Sequence, residues 1–131
     1  MHSAPGAICK IVNNLIGMTT NLVLSEAFSL GVKAGMNPQT LYEVISESSG
    51  NSFTLHNFAN GLFKRDFTPG FQIDLGAKDV GLAADMGKML GVPMIISNIV
   101  QQKFIEAQAK VGERCHSWNS SIARRGCWDS H

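Results

Sequence analysis

Residues 4–34, APGAICKIVNNLIGMTTNLVLSEAFSLGVKA, carry the longest helical pattern in the chain. Projected at roughly 100° per residue, Ile8, Ile11, Val12, Leu15, Met18, Thr19, Leu22, Val23 and Leu30 gather within one broad arc. Gly31 and Gly35 supply the stop, with Lys33 in the last turn. The spacing predicts a helix of about 28 residues, long against the ordinary mean. Such a rod is expected to cross the whole body or to join it to another. Glu26 projects into the centre of the arc, where a carboxylate needs donors. A fold-fixing acid is the expected reading there.

Four shorter helices follow. Asn37-Pro38 offers a side-chain acceptor at the N-cap and proline at the first helical position. Leu41, Val44 and Ile45 then mark the inward face of a second helix ending near Ser48-Ser49-Gly50. Ser52 to Lys64 reads as a third, with Phe53, Phe58 and Leu62 inward, and residues 65–70 as a loop. Phe71 to Leu90 forms the fourth, closed by Gly91. Its face of Gly76, Ala77, Val80, Ala83, Ala84 and Gly87 permits close approach of neighbours, which predicts a central position. Pro93 opens a fifth helix to about Val111, with Ile96, Ile99, Val100, Phe104 and Ala107 on one side. No stretch alternates with period two, so the expected fold is all-α: five main helices, the first one long. Residues 1–111 make the helical domain, and 112–131 an irregular tail.

The bulk composition narrows the function classes. With 131 residues and 44% hydrophobic content the chain is expected to be one globular domain. A net charge of +1 gives no electrostatic case for nucleic acid or an anionic membrane. No apolar run approaches the roughly 18 residues of a membrane span. The N-terminus lacks the pattern of a secretory signal. Three cysteines (Cys9, Cys115, Cys127) suggest no disulfide framework, and a reducing cytoplasm is expected. Cys9 reads as a small core filler. Cys115, His116, Cys127 and His131 match no usual zinc spacing, so no metal site is expected.

Two lysines stand out. Phe71, Leu75, Lys78, Leu82, Met86 and Met89 share one face of the fourth helix, so Lys78 interrupts an apolar stripe. Packing on both sides is expected to anchor it, and its amine must reach water or an anion. Asp79 can orient Lys78 or a neighbour, and is equally readable as a surface acid. On the first helix Lys10, Asn14, Gly17 and Asn21 lie at offsets of 0, 4, 7 and 11, a narrow stripe opposite the apolar arc. A solvated face would explain it. Yet three asparagines within nine residues, plus a mid-helix glycine, cost helix stability without a packing reason. Lysine beside asparagine suits an anionic substrate and proton transfer. His56 shows no obvious partner.

These residues together resemble a known family. Gly6-Ala7-Ile8-Cys9-Lys10-Ile11-Val12-Asn13-Asn14 resembles the G-x-x-x-K-x-x-N-N motif of the β-hydroxyacid dehydrogenases, the group of 3-hydroxyisobutyrate dehydrogenase and tartronate semialdehyde reductase. Lys78-Asp79-Val80-Gly81-Leu82-Ala83 resembles the second motif, K-D-L-x-L-A, and Ser25-Glu26-Ala27 and Ser48-Ser49-Gly50 also fall in place. The likeness runs from about Gly6 to Val111. It implies the all-helical C-terminal domain of such enzymes, similar to that of 6-phosphogluconate dehydrogenase, which begins with an interdomain helix. By the same resemblance Lys10 is the catalytic acid/base, Asn14 helps hold a small hydroxy acid, and Lys78 contacts NAD or NADP.

The departures set further expectations. No G-x-G-x-x-G follows a strand, so the cofactor-holding Rossmann domain and its substrate-carboxylate loop are missing. The cofactor is therefore not expected to bind tightly to this chain alone. A truncated form, a subunit needing a separate Rossmann chain, and a stand-alone oligomerisation or binding module all fit the sequence. A small-acid binding protein using Lys10 and Lys78 is a further reading. A homodimer is expected from the apolar surface that the first helix would bare.

Overall fold

The computed structural model describes residues 4–64 and 73–111. Phe71, the loop at 65–70 and the tail with Cys115, His116, Cys127 and His131 lie outside the described residues. Five helices follow in order: α1 (Pro5–Lys33), α2 (Pro38–Ser46), α3 (Phe53–Lys64), α4 (Ile73–Leu90) and α5 (Ile95–Val111). Among the described residues there is no strand, and the fold is all-α.

Local chemistry sets the boundaries. Pro5 opens α1 with a φ already suited to a helix. Thr19, Thr20 and Ser25 return their hydroxyls to the carbonyls of Leu15, Ile16 and Asn21, so these polar groups are satisfied within the rod. At its end Gly35 takes φ +94°, and Met36 N donates to Gly31 O at 3.0 Å, closing the last turn. Asn37 caps α2 by accepting from Gln39 N and Thr40 N. Ser52 Oγ accepts from Leu55 N at 2.9 Å and caps α3. Gly91, at φ +69°, ends α4.

The long helix is the spine of the molecule. α1 packs against α2, α3, α4 and α5, a place the sequence assigns instead to α4. Two hydrophobic clusters hang on it. In the first, Ile73, Val80, Val100, Phe104 and Ala107 of α4 and α5 meet Leu15, Met18 and Leu22 of α1. In the second, Leu24 and Phe28 meet Leu55 and Phe58 of α3, with Leu41, Tyr42 and Ile45 of α2 around them. The Phe28 and Phe58 rings lie 5.3 Å apart and tilted by 58°, a favourable edge-toward-face geometry. The small face of α4 is buried as expected, and at Gly87 a Cβ would fall 2.1 Å from Met94 Cγ.

Several inward assignments need correction. The α1 arc splits: Leu15, Met18 and Leu22 pack inward, whereas Ile8, Val12, Val23 and Leu30 are exposed, Leu30 at 74%. Glu26 and Cys9 are exposed too. Phe53 is 81% exposed, its inward role taken by Leu55. Val44, Ile96 and Ile99 also face outward. The physical reason is common to all. A helix rich in apolar residues on every side has several candidate inward faces, and the choice among them belongs to its neighbours. α1 is in fact long and apolar enough, by length and composition alone, to cross a membrane, contrary to the sequence expectation. In the fold one side of it carries both clusters and the other is bare.

Candidate active site

Of the Lys10–Asn14–Gly17–Asn21 stripe, Lys10 is exposed and the other three turn toward neighbouring helices. Asn14, Gly17 and Asn21 are half-buried. Asn14 Nδ2 donates to Asp79 Oδ2 at 2.7 Å, across 65 residues of sequence. Asp79 is only 8% exposed, so it belongs to the interior and the surface-acid reading falls. A buried carboxylate requires a donor, and the carboxamide of Asn14 supplies one. Gly17 lies beside α3, although a Cβ built there would stand 3.9 Å from Thr54 Oγ1, an ordinary contact. The glycine is therefore not required for packing within this chain.

This one bond joins the two sequence motifs. Lys10 precedes Asn14 by one helical turn on the same face, a rise of about 6 Å. Lys78 directly precedes Asp79. Each lysine therefore lies within one helical turn of this bond along its own helix. Both lysines are exposed. Lys78 is not anchored by packing on two sides, because its stripe (Leu75, Leu82 and Met89) is itself exposed. An ammonium flanked by uncovered apolar side chains suits a ligand that is both anionic and flat.

His56 does have a partner. Its Nδ1 lies 2.9 Å from Tyr42 Oη, and Tyr42 also meets the Phe63 ring edge-on. The pair links α2 to α3, and its signal in the sequence was two polar-tipped aromatics on adjacent helices. Asn13 is exposed and reaches Asn14 Oδ1 only at 3.5 Å. Among the described residues no three His, Cys, Asp or Glu side chains come together as a metal site.

Comparison with known proteins places the chain in a family. Residues 4–123 match the family profile described as the NAD-binding domain of NADP-dependent 3-hydroxyisobutyrate dehydrogenase. The chain is 40% identical over 100 residues to 2-(hydroxymethyl)glutarate dehydrogenase of Eubacterium barkeri, covering 76% of this chain and 33% of that protein. It is 36% identical over 112 residues to the probable mitochondrial 3-hydroxyisobutyrate dehydrogenase of Dictyostelium discoideum, covering 80% and 35%. The solved 3-hydroxyisobutyrate dehydrogenase of Mycobacterium tuberculosis, with L-serine, superposes with a TM-score of 0.78 at 25% identity, over 89% of this chain and 42% of that one. The chain spans about a third of the length of the curated relatives it matches. With two motifs joined by a hydrogen bond and a profile that covers most of its length, the chain belongs to the family of NAD(P)-dependent 3-hydroxyisobutyrate and related β-hydroxyacid dehydrogenases.

Proposed function

We propose that this chain supplies the substrate side of an NAD(P)-dependent dehydrogenase acting on a small 3-hydroxy acid. The observation that carries the reading is the Asn14–Asp79 hydrogen bond, which ties the helices bearing Lys10 and Lys78 together within a turn of each lysine. Oxidation of a secondary or primary alcohol requires a base at the hydroxyl proton and an acceptor for the hydride. Nicotinamide, when bound, supplies the hydride chemistry. Lys10 Nζ takes the hydroxyl proton in the oxidative direction and returns it in the reductive one. Asn14 holds the acid in place, and Lys78 offers its ammonium to the cofactor. The relatives named above are dehydrogenases of 2-(hydroxymethyl)glutarate and 3-hydroxyisobutyrate, which supports a branched hydroxy acid as substrate.

The sequence has no G-x-G-x-x-G loop, so turnover requires a dinucleotide-binding domain from a partner chain or from a longer polypeptide. The chain alone is inactive on this reading. The test is a spectrophotometric assay at the NAD(P)H band with a panel of 3-hydroxy acids. The chain is assayed alone and mixed with a relative's dinucleotide-binding domain. Activity is expected only in the mixture, and Lys10→Ala should lower it by about 10²- to 10⁴-fold. Absence of both turnover and saturable NADH binding in every combination would remove the enzyme reading.

A specific observation favours an accompanying structural role. Ile8, Val12, Ile16, Val23 and Leu30 form a bare apolar line along α1, which suits a second copy of the chain. Light scattering should give a dimer mass, and a monomer at high concentration would refute that role.

A further inference from the structure

Asp79 is a buried carboxylate to which the proposed chemistry gives no direct part, yet it touches the one amide that has a part. An amide side chain is two-faced: one end donates and the other accepts, and its surroundings decide which end points where. A carboxylate oxygen accepts. With Asp79 Oδ2 at 2.7 Å, the amino end of Asn14 is turned inward to α4. Its carbonyl Oδ1 is then turned toward the side of exposed Asn13, whose amide reaches it only at 3.5 Å. So long a contact leaves the carbonyl available as an acceptor.

We infer that Asp79 is a positioning residue that fixes the polarity of Asn14, presenting carbonyl Oδ1 as an acceptor for the Lys10 ammonium once that amine has taken the hydroxyl proton. This deepens the proposed function and rests on it for the ligand, but not for the orientation. Lys10 lies one helical turn before Asn14 on the same face, within reach of such a contact. An amide free to flip would offer its amino end half the time and repel the ammonium.

The experiment uses the full chain labelled with ¹⁵N. The side-chain amide signals of Asn14 are assigned by their loss in Asn14→Ala. Asp79→Leu, similarly branched though larger and without an acceptor, should shift those signals and speed their exchange with water about tenfold or more. Asp79→Asn retains an acceptor oxygen and should restore part of the protection. Calorimetric titration with 3-hydroxyisobutyrate should show about tenfold weaker binding in Asp79→Leu and a smaller loss in Asp79→Asn. If Asp79→Leu does not fold, Asp79→Ala, which also lacks an acceptor, carries the same comparison. Unchanged Asn14 signals in a folded variant overturn the inference, as does unchanged affinity where Lys10→Ala weakens binding. If the wild-type chain binds no hydroxy acid, the proposed function fails separately, and the amide spectrum still decides whether Asp79 orients Asn14.

Discussion

Along one face of α1, Lys10, Asn14, Gly17 and Asn21 are followed at the same spacing by Ser25, Phe28 and Val32. The stripe is continuous, and all of it from Asn14 onward is at least half-buried. Its first half meets α4 through a hydrogen bond and its second half meets α3 through aromatic packing. Phe28 is fully buried, and its half of the molecule contains the tilted ring pair and the Tyr42–His56 bond. The polar half gains little from burial and spends helix propensity on asparagine and glycine. Along this stripe, aromatic packing lies toward one end of the rod and the polar groups of the proposed site toward the other.

The comparison breaks first at Phe28. Phe28→Ala should cost about 4 kcal/mol by urea denaturation, because the truncated ring leaves a cavity among Leu24, Leu55 and Phe58. A much smaller loss would mean that the aromatic half is not the anchor.

Two glycines sharpen it. Gly87→Ala drives a methyl into Met94 and close to the Val92 carbonyl, and should destabilise by about 2 kcal/mol. Gly17→Ala meets only ordinary contact and should stabilise by about 1 kcal/mol in the same thermal melt, through helix propensity. Opposite signs at two mid-helix glycines would show that one serves packing and the other does not.

The hydrogen bond itself comes next. Asn14→Ala leaves the Asp79 carboxylate without this donor and should cost about 1.5 kcal/mol. A double-mutant cycle with Asp79→Ala should recover most of that as a coupling energy, and zero coupling would mean that the bond holds nothing.

The smallest effect belongs to α5. Lys110 first and Lys103 second lower the Glu106 carboxyl from 4.5 to about 2 through hydrogen bonds and charge. A folded value below the unfolded one adds stability that is complete above about pH 4.5 and is lost as pH falls toward 2. The group is solvent-screened, so Glu106→Gln should leave the melting curve nearly unchanged at neutral pH and moderate salt. A clear neutral-pH shift would show that this triad is more than a surface feature.

Much of the architecture can be read from the chain. Helix count and ends follow from Pro5, Asn37-Pro38, Gly35 and Gly91, since caps and breakers act over one turn. The small-residue face of α4 is equally plain. Inward faces are less so. The sequence pattern puts Phe53 inward, and Leu55, two residues on, takes that place, because α3 carries apolar groups on both sides. Glu26 looked buried only because the wrong arc of α1 was taken as the core.

The local order of residues determined that this is a set of five helices and that two motifs with lysines lie in it, because periodicity and capping are short-range physics. Tertiary packing alone decided that Asp79 is interior and faces Asn14. Two residues 65 positions apart can become donor and acceptor only when α1 and α4 are laid side by side. That choice depends on which of several apolar faces each helix turns to its neighbours, an interaction energy that no single segment contains.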